Sequence, residues 1–220
     1  MNSTISKIMY SAWQQFEKFG YSKTTMRQIS EGANVSPGLI NHHFISKENI
    51  AAQVLEIISN YFKEEVAAYV SLDEDPLLFD AVFTRGKILF FLQGSFRQFY
   101  IDCLKSDIIF NYMTNNPLQI LPRLEKVYGI SVDQDSAILY NQYMPYNLEK
   151  TLVLKKEEGL FQGIPYEEIP AHVCIAALEK FIPREDILQA DLQGRDITGK
   201  ILDKIPPLQP QTLIDQFLHM

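Results

Sequence analysis

The sequence has few of the residues that build disulfide scaffolds or metal clusters. Its 220 residues contain two cysteines, Cys103 and Cys174, which are 71 positions apart and form no CxxC motif. Disulfide-rich domains and zinc clusters both need more cysteines at closer spacing. We therefore expect two buried thiols in a reducing compartment, no metal site and no cofactor.

Long apolar runs and strand patterns are also missing. No stretch approaches 18 uninterrupted apolar residues, and Ser6, Lys7 and Tyr10 break the first apolar segment, so neither a membrane span nor a signal peptide is predicted. Period-two alternation is not convincing anywhere, and we find no repeat or low-complexity tract. Hydrophobic residues make up 46% and charged residues 21% of the chain, as in ordinary globular proteins. These features predict a cytoplasmic, all-helical protein.

Positive charge is scarce overall but unevenly distributed. The net charge is −7, which by itself argues against a nucleic-acid partner. Residues 1–50 nevertheless contain five basic and three acidic residues, a net charge of +2, which leaves −9 for the remainder. Only the beginning of the chain is therefore expected to approach a polyanion.

Helix start and stop signals are dense in this first segment. Apolar residues from Ile5 to Phe19 follow a helical period, and Gly20 ends it. Thr25 with Gln28 forms a capping-box pattern for a second helix, bounded by Gly32 and Asn34. Ser36-Pro37 begins a third helix, which ends near Phe44, and Ser46 begins a fourth that continues to about Tyr69.

The second and third helices form a candidate helix-turn-helix. Ile29, Ala33, Val35 and Ile40 are the predicted core that fixes their crossing, so that the third helix protrudes far enough to enter a major groove. We predict a DNA-binding head at residues 1–46 and a larger helical body at residues 47–220. Further helices are predicted near 76–93, 95–105, 107–114, 117–128, 133–157 and 166–182. Residues 183–210 are predicted to be irregular or only partly helical. The amphipathic segment that follows, with Leu213, Ile214, Phe217 and Leu218, is predicted to dock on the body.

Residues 5–50 resemble the DNA-binding head of the tetracycline-repressor-like (TetR/AcrR) transcription regulators. The resemblance rests on Phe16-Glu17-Lys18-Phe19-Gly20-Tyr21, on Thr24-Thr25-Met26-Arg27-Gln28-Ile29, on Val35-Ser36-Pro37-Gly38-Leu39-Ile40, on His43-Phe44 and on Ser46-Lys47-Glu48. One position departs from the family, which usually has an aromatic residue where this sequence has Asn41. A phosphate contact from an aromatic hydroxyl therefore cannot be transferred to this chain.

The resemblance implies a set of DNA contacts. Thr25 and Lys47 would bind phosphates, and Arg27 would reach a base edge. The third helix would present its first residues to the bases, while Asn41, His42 and His43 contact bases or backbone. The implied DNA-binding residues are Thr25, Arg27, Ser36, Pro37, Gly38, Leu39, Asn41, His42, His43 and Lys47.

Each of these residues also has a purely structural interpretation. Thr25 is explained as a helix cap, Arg27 as the partner of Glu31 four residues later, and Lys47 as a solvated charge. Gly38 would then serve only helix packing. His42 and His43 are adjacent, so they point about 100° apart on a helix and cannot readily share a metal ion.

The body is rich in aromatic residues. Residues 76–166 hold 15 of the chain's 26 aromatic side chains, which suits either a dense core or a cavity for an apolar or planar ligand. The family resemblance implies that the body, residues 47–220, is a ligand-binding and dimerisation domain with a small-molecule pocket. The candidate lining residues are Phe83, Phe90, Phe99, Tyr100, Tyr112 and Tyr143.

These observations predict a ligand-responsive transcriptional repressor without enzymatic activity. It would bind a two-fold operator as a homodimer, through an apolar face that includes Ile169, Val173 and Ala177, and a small apolar or aromatic inducer would release it. The fourth helix is the expected connector between head and body. Two alternatives remain: an all-helical small-molecule or lipid-binding protein or enzyme that does not bind DNA, and a regulator that senses no small molecule.

Overall fold

All regular structure in the described residues is helical. The structure, a computed structural model, describes residues 4–115, 120–204 and 210–219. The predicted all-α fold class is confirmed there. The α-helices are α1 (Thr4–Lys23), α2 (Met26–Gly32), α3 (Pro37–His43), α4 (Lys47–Ala67), α5 (Pro76–Gln93), α6 (Arg97–Lys105), α7 (Ile108–Asn115), α8 (Leu121–Tyr128), α9 (Gln134–Ile138), α10 (Met144–Glu157), α11 (Ile169–Leu178), α12 (Arg184–Lys204) and α13 (Pro210–His219).

The start and stop signals of the first helices act as expected. Gly20 adopts φ 78° and ψ 173°, which interrupts the helical path of α1. Thr25 and Gln28 form both halves of a capping box at the start of α2. The Ser36 side chain accepts a hydrogen bond from the Leu39 N–H, and Pro37 occupies the first turn of α3. Local sequence therefore determines where these helices begin.

The turn between α2 and α3 is closed by Asn34. Its φ is 53°, in the left-handed region that ends many helices. The Asn34 N–H donates to the Glu31 carbonyl (3.1 Å) and the Val35 N–H donates to the Ser30 carbonyl (3.0 Å). Gly32 has another role, since a Cβ there would lie 2.4 Å from the Ser11 Oγ. Its missing side chain lets α2 lie close to α1.

The chain divides into two compact units, and the division differs from the predicted boundary at residue 46. The first unit, here called the head unit, comprises the described parts of Met1–Tyr61, Phe91–Tyr112 and Ile205–Met220. The second, the body unit, comprises the described parts of Phe62–Phe90 and Met113–Lys204. The boundaries fall within α4, α5 and α7. Segments distant in sequence therefore complete the head unit.

Aromatic packing joins α6 to α1 in the head unit. Trp13 meets Phe96 edge to face with ring centroids 5.0 Å apart, and Phe16 stacks on Phe99, also at 5.0 Å. All four side chains are almost completely buried. Such pairs add to the free energy gained by burying the rings, so α6 is part of the core that supports the helix-turn-helix.

Helix α13 also belongs to the head unit. It packs on α1, and the Ser6 hydroxyl donates to Asp215 Oδ1 at 2.7 Å. Ile214 is fully buried. The prediction that this amphipathic segment docks on the body is therefore wrong, because its apolar side covers the first helix instead.

The body unit contains a buried ion-pair network. Arg85 on α5 pairs with Asp191 on α12, and both side chains are almost fully buried. Arg85 also donates to the Glu167 carbonyl at 2.7 Å, and Arg195 donates to the second Asp191 oxygen at 3.0 Å. A buried charge needs such compensation. The network fixes the register between α5 and α12.

The prediction that residues 183–210 are irregular or only partly helical is wrong for residues 184–204, which form α12, and residues 205–209 lie outside the described residues. The 21 residues of α12 run without a break from Arg184 to Lys204. Gly194 looks like a helix breaker in the sequence, but a Cβ there would lie 3.1 Å from Val82 Cγ2. The glycine allows close packing on α5, and the buried residues Ile187, Asp191 and Ile201 hold the helix in place.

The helix predicted at residues 133–157 contains a π-helical turn. It spans Leu139–Tyr143, between α9 and α10. Pro145 lies two residues after the turn and has no N–H to donate, which favours a local departure from α-helical hydrogen bonding. Tyr143, a predicted pocket residue, lies in this turn.

Helix α11 cannot supply the predicted dimer face. Ile169, Val173 and Ala177 are buried within the chain itself, and α11 packs on α10 and α12. A face already covered in this way is not available to a second copy. The prediction of this dimer face is therefore wrong.

Candidate nucleic-acid interface

Helix α3 is exposed along almost its whole length. Of its seven residues, only Ile40 is buried. Ile40 packs in the small core with Ile29 and Ala33, which are also buried, while Val35 is half-buried. Ile40 therefore anchors the helix and leaves the other side chains directed to solvent.

The predicted contact residues of α3 lie together on this exposed helix and its cap. Leu39 is an exposed apolar side chain, 37% accessible. The rings of His42 and His43 contact each other edge to face at 5.2 Å. The exposed contact residues of this region are Ser36, Pro37, Gly38, Leu39, Asn41, His42 and His43. Within the described chain, no group of three His, Cys, Asp or Glu side chains could hold a metal ion.

Thr25 lies at the amino end of α2. Its hydroxyl oxygen accepts from the Gln28 N–H at 3.2 Å, while its own N–H donates to Gln28 Oε1 at 2.8 Å. The residue is nevertheless exposed. The structural interpretation as a helix cap is thus correct, and the position also leaves Thr25 accessible to a phosphate.

Arg27 forms a surface ion pair with Glu31. The Arg27 Nε lies 2.7 Å from Glu31 Oε1, and the two side chains are 83% and 61% exposed. The hydrogen bond to Glu31 raises the pKa of Arg27 further above its usual value. Exposed pairs of this kind contribute little to stability, so Arg27 can exchange Glu31 for another partner at small cost.

Lys47, the implied phosphate contact, does not have the solvated ammonium group of its alternative structural interpretation. Its Nζ donates to the Tyr21 carbonyl at 2.8 Å and to the Thr24 carbonyl at 2.7 Å. The same nitrogen lies 3.9 Å from the centroid of the Tyr21 ring. Burial lowers the pKa of Lys47, and the nearby Asp102 carboxylate opposes that shift. The ammonium group is thus engaged within the chain.

The bonded carbonyls belong to residues 20–25, which we call the hinge turn and which comprise the end of α1 from Gly20 onward and the two residues that precede α2. The Thr24 hydroxyl donates to the Gly20 carbonyl at 2.7 Å. On α6, Asp102 Oδ2 accepts from the Ser22 N–H, also at 2.7 Å. Burial raises the pKa of Tyr21 to about 12. The hinge turn is therefore held by groups from α1, α4 and α6.

Two residues of this region, Asp102 and Ile45, were not predicted from the sequence. Asp102 is 4% exposed, and nothing in its local sequence links it to Ser22, 80 positions away. Ile45, in the turn between α3 and α4, is 92% exposed. An isoleucine beside a helix cap in an otherwise polar turn could have been noticed as an accessible apolar contact.

The six predicted pocket residues are divided between the two units. Phe99, Tyr100 and Tyr112 belong to the head unit, and Phe83, Phe90 and Tyr143 to the body unit. Phe99 is fully buried against Phe16, and Tyr100 stacks on Phe91 at 4.8 Å. These two rings pack in the core of the head unit. Phe83 and Phe90 remain half-buried, and Tyr143 is exposed.

Helix α5 carries an unusual carboxyl group. Burial raises the pKa of Asp80 to about 6, although the Lys87 charge opposes the shift. On α11, burial and the Asp80 charge raise the pKa of the Cys174 thiol. Both cysteines are buried and free, as expected. Asp80 therefore titrates closer to neutrality than an ordinary aspartate.

Among the helices of the described chain, none is both long and apolar enough to cross a membrane.

Residues 8–54 match the family described as "Bacterial regulatory proteins, tetR family", in agreement with the resemblance noted in the sequence. No curated protein matches the chain. A solved structure titled "Crystal structure of gamma-butyrolactone receptor (ArpA like protein)" is similar over 90% of this chain and 97% of its own, with 17% sequence identity and a TM-score of 0.45.

Proposed function

We propose, from the match of residues 8–54 to the tetR family of bacterial regulatory proteins, that the chain is a ligand-responsive transcriptional repressor. The observation that carries the proposal is the exposure of α3, which keeps only Ile40 buried. A helix that presents six of its seven residues to solvent is otherwise costly to maintain, because little of its surface contributes to the core. Entry into a major groove accounts for this arrangement.

Direct readout of the operator falls to α3 and Arg27. Pro37, Gly38 and Leu39 lie at the amino end of α3, where apolar contact and close backbone approach to base edges are possible. Asn41, His42 and His43 supply polar contacts further along the helix. Arg27 leaves Glu31 and binds a base edge, because the exposed ion pair contributes little to stability and a guanidinium can donate two hydrogen bonds to guanine O6 and N7.

Binding of phosphates falls mainly to Thr25. The amino end of α2 carries a partial positive charge, and Thr25 adds an exposed hydroxyl there. These contacts set the register of the head on the duplex without reading its sequence. Lys47 contributes to DNA binding either by holding the hinge turn or by binding a phosphate. The effect of its loss on the salt dependence of binding separates the two roles.

The active species is a homodimer. One recognition helix per chain reads one half-site, so a two-fold partner is needed to reach the next major groove, about 34–36 Å away. With α11 buried, the candidate contact moves to α12, where Leu188 and Leu192 are 40% and 63% exposed and lie one turn apart. A Leu192→Asp variant is expected to sediment as a monomer and to bind DNA weakly.

A small apolar or aromatic inducer acts on the body. Phe83 and Phe90 are half-buried on α5 and Tyr143 is exposed in the π-helical turn, so these three candidates remain accessible. An inducer that binds better to a conformation unsuited to the operator lowers DNA affinity by its differential affinity. Helix α4 contains residues of both units and is the proposed connector. The protein acts by binding, without catalysis, in the cytoplasm.

Gel-shift titration with the DNA that flanks the gene for this chain tests the proposal. Affinity is expected to fall steeply with salt, since log K changes by about 0.9 per neutralised phosphate for each tenfold change in salt. Arg27→Ala is expected to relax base preference. Lys200→Ala removes the same charge from an exposed site on α12 and is the matched control, expected to bind normally. Equal, salt-insensitive binding by all three proteins would contradict the proposal.

A further inference from the structure

The hinge turn is unusual in the number of side chains that hold its backbone. Lys47 binds two of its carbonyls, at 2.8 and 2.7 Å, and Asp102 binds its Ser22 N–H at 2.7 Å. The second Asp102 oxygen accepts from Gln98 Nε2 at 2.8 Å, which fixes the carboxylate. The turn ends at Thr25, the N-cap of α2.

We propose that Asp102 and Lys47 are positioning residues, which hold the hinge turn through its N–H and its carbonyls and thereby set the placement of Thr25 and α2 on DNA. This inference rests on the proposed function. It gives α6 a direct connection to the DNA-binding surface, through one carboxylate. It also gives Lys47 a role different from that of a phosphate contact.

Close packing at Gly20 supports this role. A Cβ at Gly20 would lie 2.7 Å from Gln98 Cγ and 2.8 Å from Asp102 Oδ2. The hinge turn therefore lies directly against the side of α6 that carries Asp102. A shift of α6 along α1 changes the distance between Asp102 and Ser22, and the hinge turn must follow or lose this hydrogen bond.

Because Asp102 is negatively charged, the direction in which its replacement changes DNA affinity distinguishes the two explanations. Removal of a negative charge from the head unit should strengthen binding to DNA if only the overall field matters. A positioning role predicts the reverse. Asp102→Ala should weaken operator binding about tenfold or more, equivalent to about 1.4 kcal/mol. Glu48→Gln removes a charge from the exposed first turn of α4 and is the matched control, expected to bind as tightly as the parent or more tightly.

Rescue by a similar side chain separates positioning from general loss of structure. Asp102→Asn keeps an oxygen that can accept from Ser22 and should recover most of the affinity lost in Asp102→Ala. Dissociation constants are compared per active molecule, from stoichiometric titration, so that a partly unfolded sample does not imitate weak binding. Binding by Asp102→Ala that equals or exceeds that of the parent would overturn the role of Asp102.

Salt dependence tests the role of Lys47. A lysine that neutralises a phosphate contributes about one to the slope of log K against log salt, so its loss reduces the slope. We expect Lys47→Met to lower affinity and to leave the slope unchanged. A slope reduced by about one per protomer would reject the positioning role and support a phosphate contact.

Hydrogen exchange keeps the inference testable if the parent protein binds no operator. Amides of residues 20–25 should exchange faster in Asp102→Ala than in Asp102→Asn or the parent, because the Ser22 N–H loses its acceptor. Failure of DNA binding with this pattern intact would reject the proposed function alone. Unchanged exchange in Asp102→Ala would reject the positioning role.

Discussion

Gly20→Ala is expected to destabilise the head unit strongly. The backbone at Gly20 has φ 78° and ψ 173°, a region that side-chain-bearing residues avoid at a cost of about 1–3 kcal/mol. The new methyl group would also lie within 3 Å of Gln98 Cγ and Asp102 Oδ2. Displacing Asp102 costs a further ~1 kcal/mol through its hydrogen bond to Ser22. We expect the free energy of unfolding to fall by about 3 kcal/mol in total.

Urea unfolding followed by tryptophan fluorescence measures this change. Trp13 is the single tryptophan of the chain and packs against Phe96, so its emission reports on the head unit. Gly38→Ala is the matched control, because a Cβ at Gly38 meets nothing within 4 Å and alanine stabilises a helix by about 0.5–1 kcal/mol relative to glycine. If Gly20→Ala unfolds at the same urea concentration as the parent, the close contact between the hinge turn and α6 is refuted.

Four further substitutions test other parts of the structure. Phe99→Ala should lower the free energy of unfolding by about 3–5 kcal/mol because it empties a core site. Phe83 is half-buried, so Phe83→Ala should lower it less. If urea titrations show an equally small loss of unfolding free energy for both variants, a pocket role for Phe99 is favoured. Asp80 has a folded pKa of about 6 against an ordinary 3.8, so the folded state loses stability as pH rises between these values. Asp80→Asn should remove this pH dependence and stabilise the protein at pH 7 by on the order of 2–3 kcal/mol, as measured by thermal unfolding across pH 4–7. Arg27→Ala should leave the unfolding midpoint unchanged, because its pair with Glu31 is largely exposed, and a shifted midpoint would show that the pair is structural.

The features predicted correctly from the sequence are those encoded by neighbouring residues. Thr25 with Gln28, and Ser36 with Pro37, specify helix starts because cap and backbone donor lie within three positions. Gly20 indicates a helix end, and this signal too is contained in the local sequence. The candidate helix-turn-helix and its exposed α3 follow from these signals together with the buried apolar positions.

Features that depend on distant residues could not be predicted in this way. Gly194 was interpreted as a helix breaker, since the nearby Val82 that makes a glycine useful lies 112 positions earlier. Phe99 was assigned to a ligand pocket because its partner Phe16 belongs to a segment treated as a separate domain. The bonds of Lys47 to two backbone carbonyls could not be predicted, because such partners are not visible in a side-chain pattern.

Assembly of the head unit from three separate stretches has a consequence for biosynthesis. Ser6 donates a hydrogen bond to Asp215, 209 positions later. Helix α1 therefore emerges from the ribosome long before its partner α13 is made. During translation, part of the apolar surface of α1 stays uncovered until α13 is made, which exposes the nascent chain to chaperones and to aggregation.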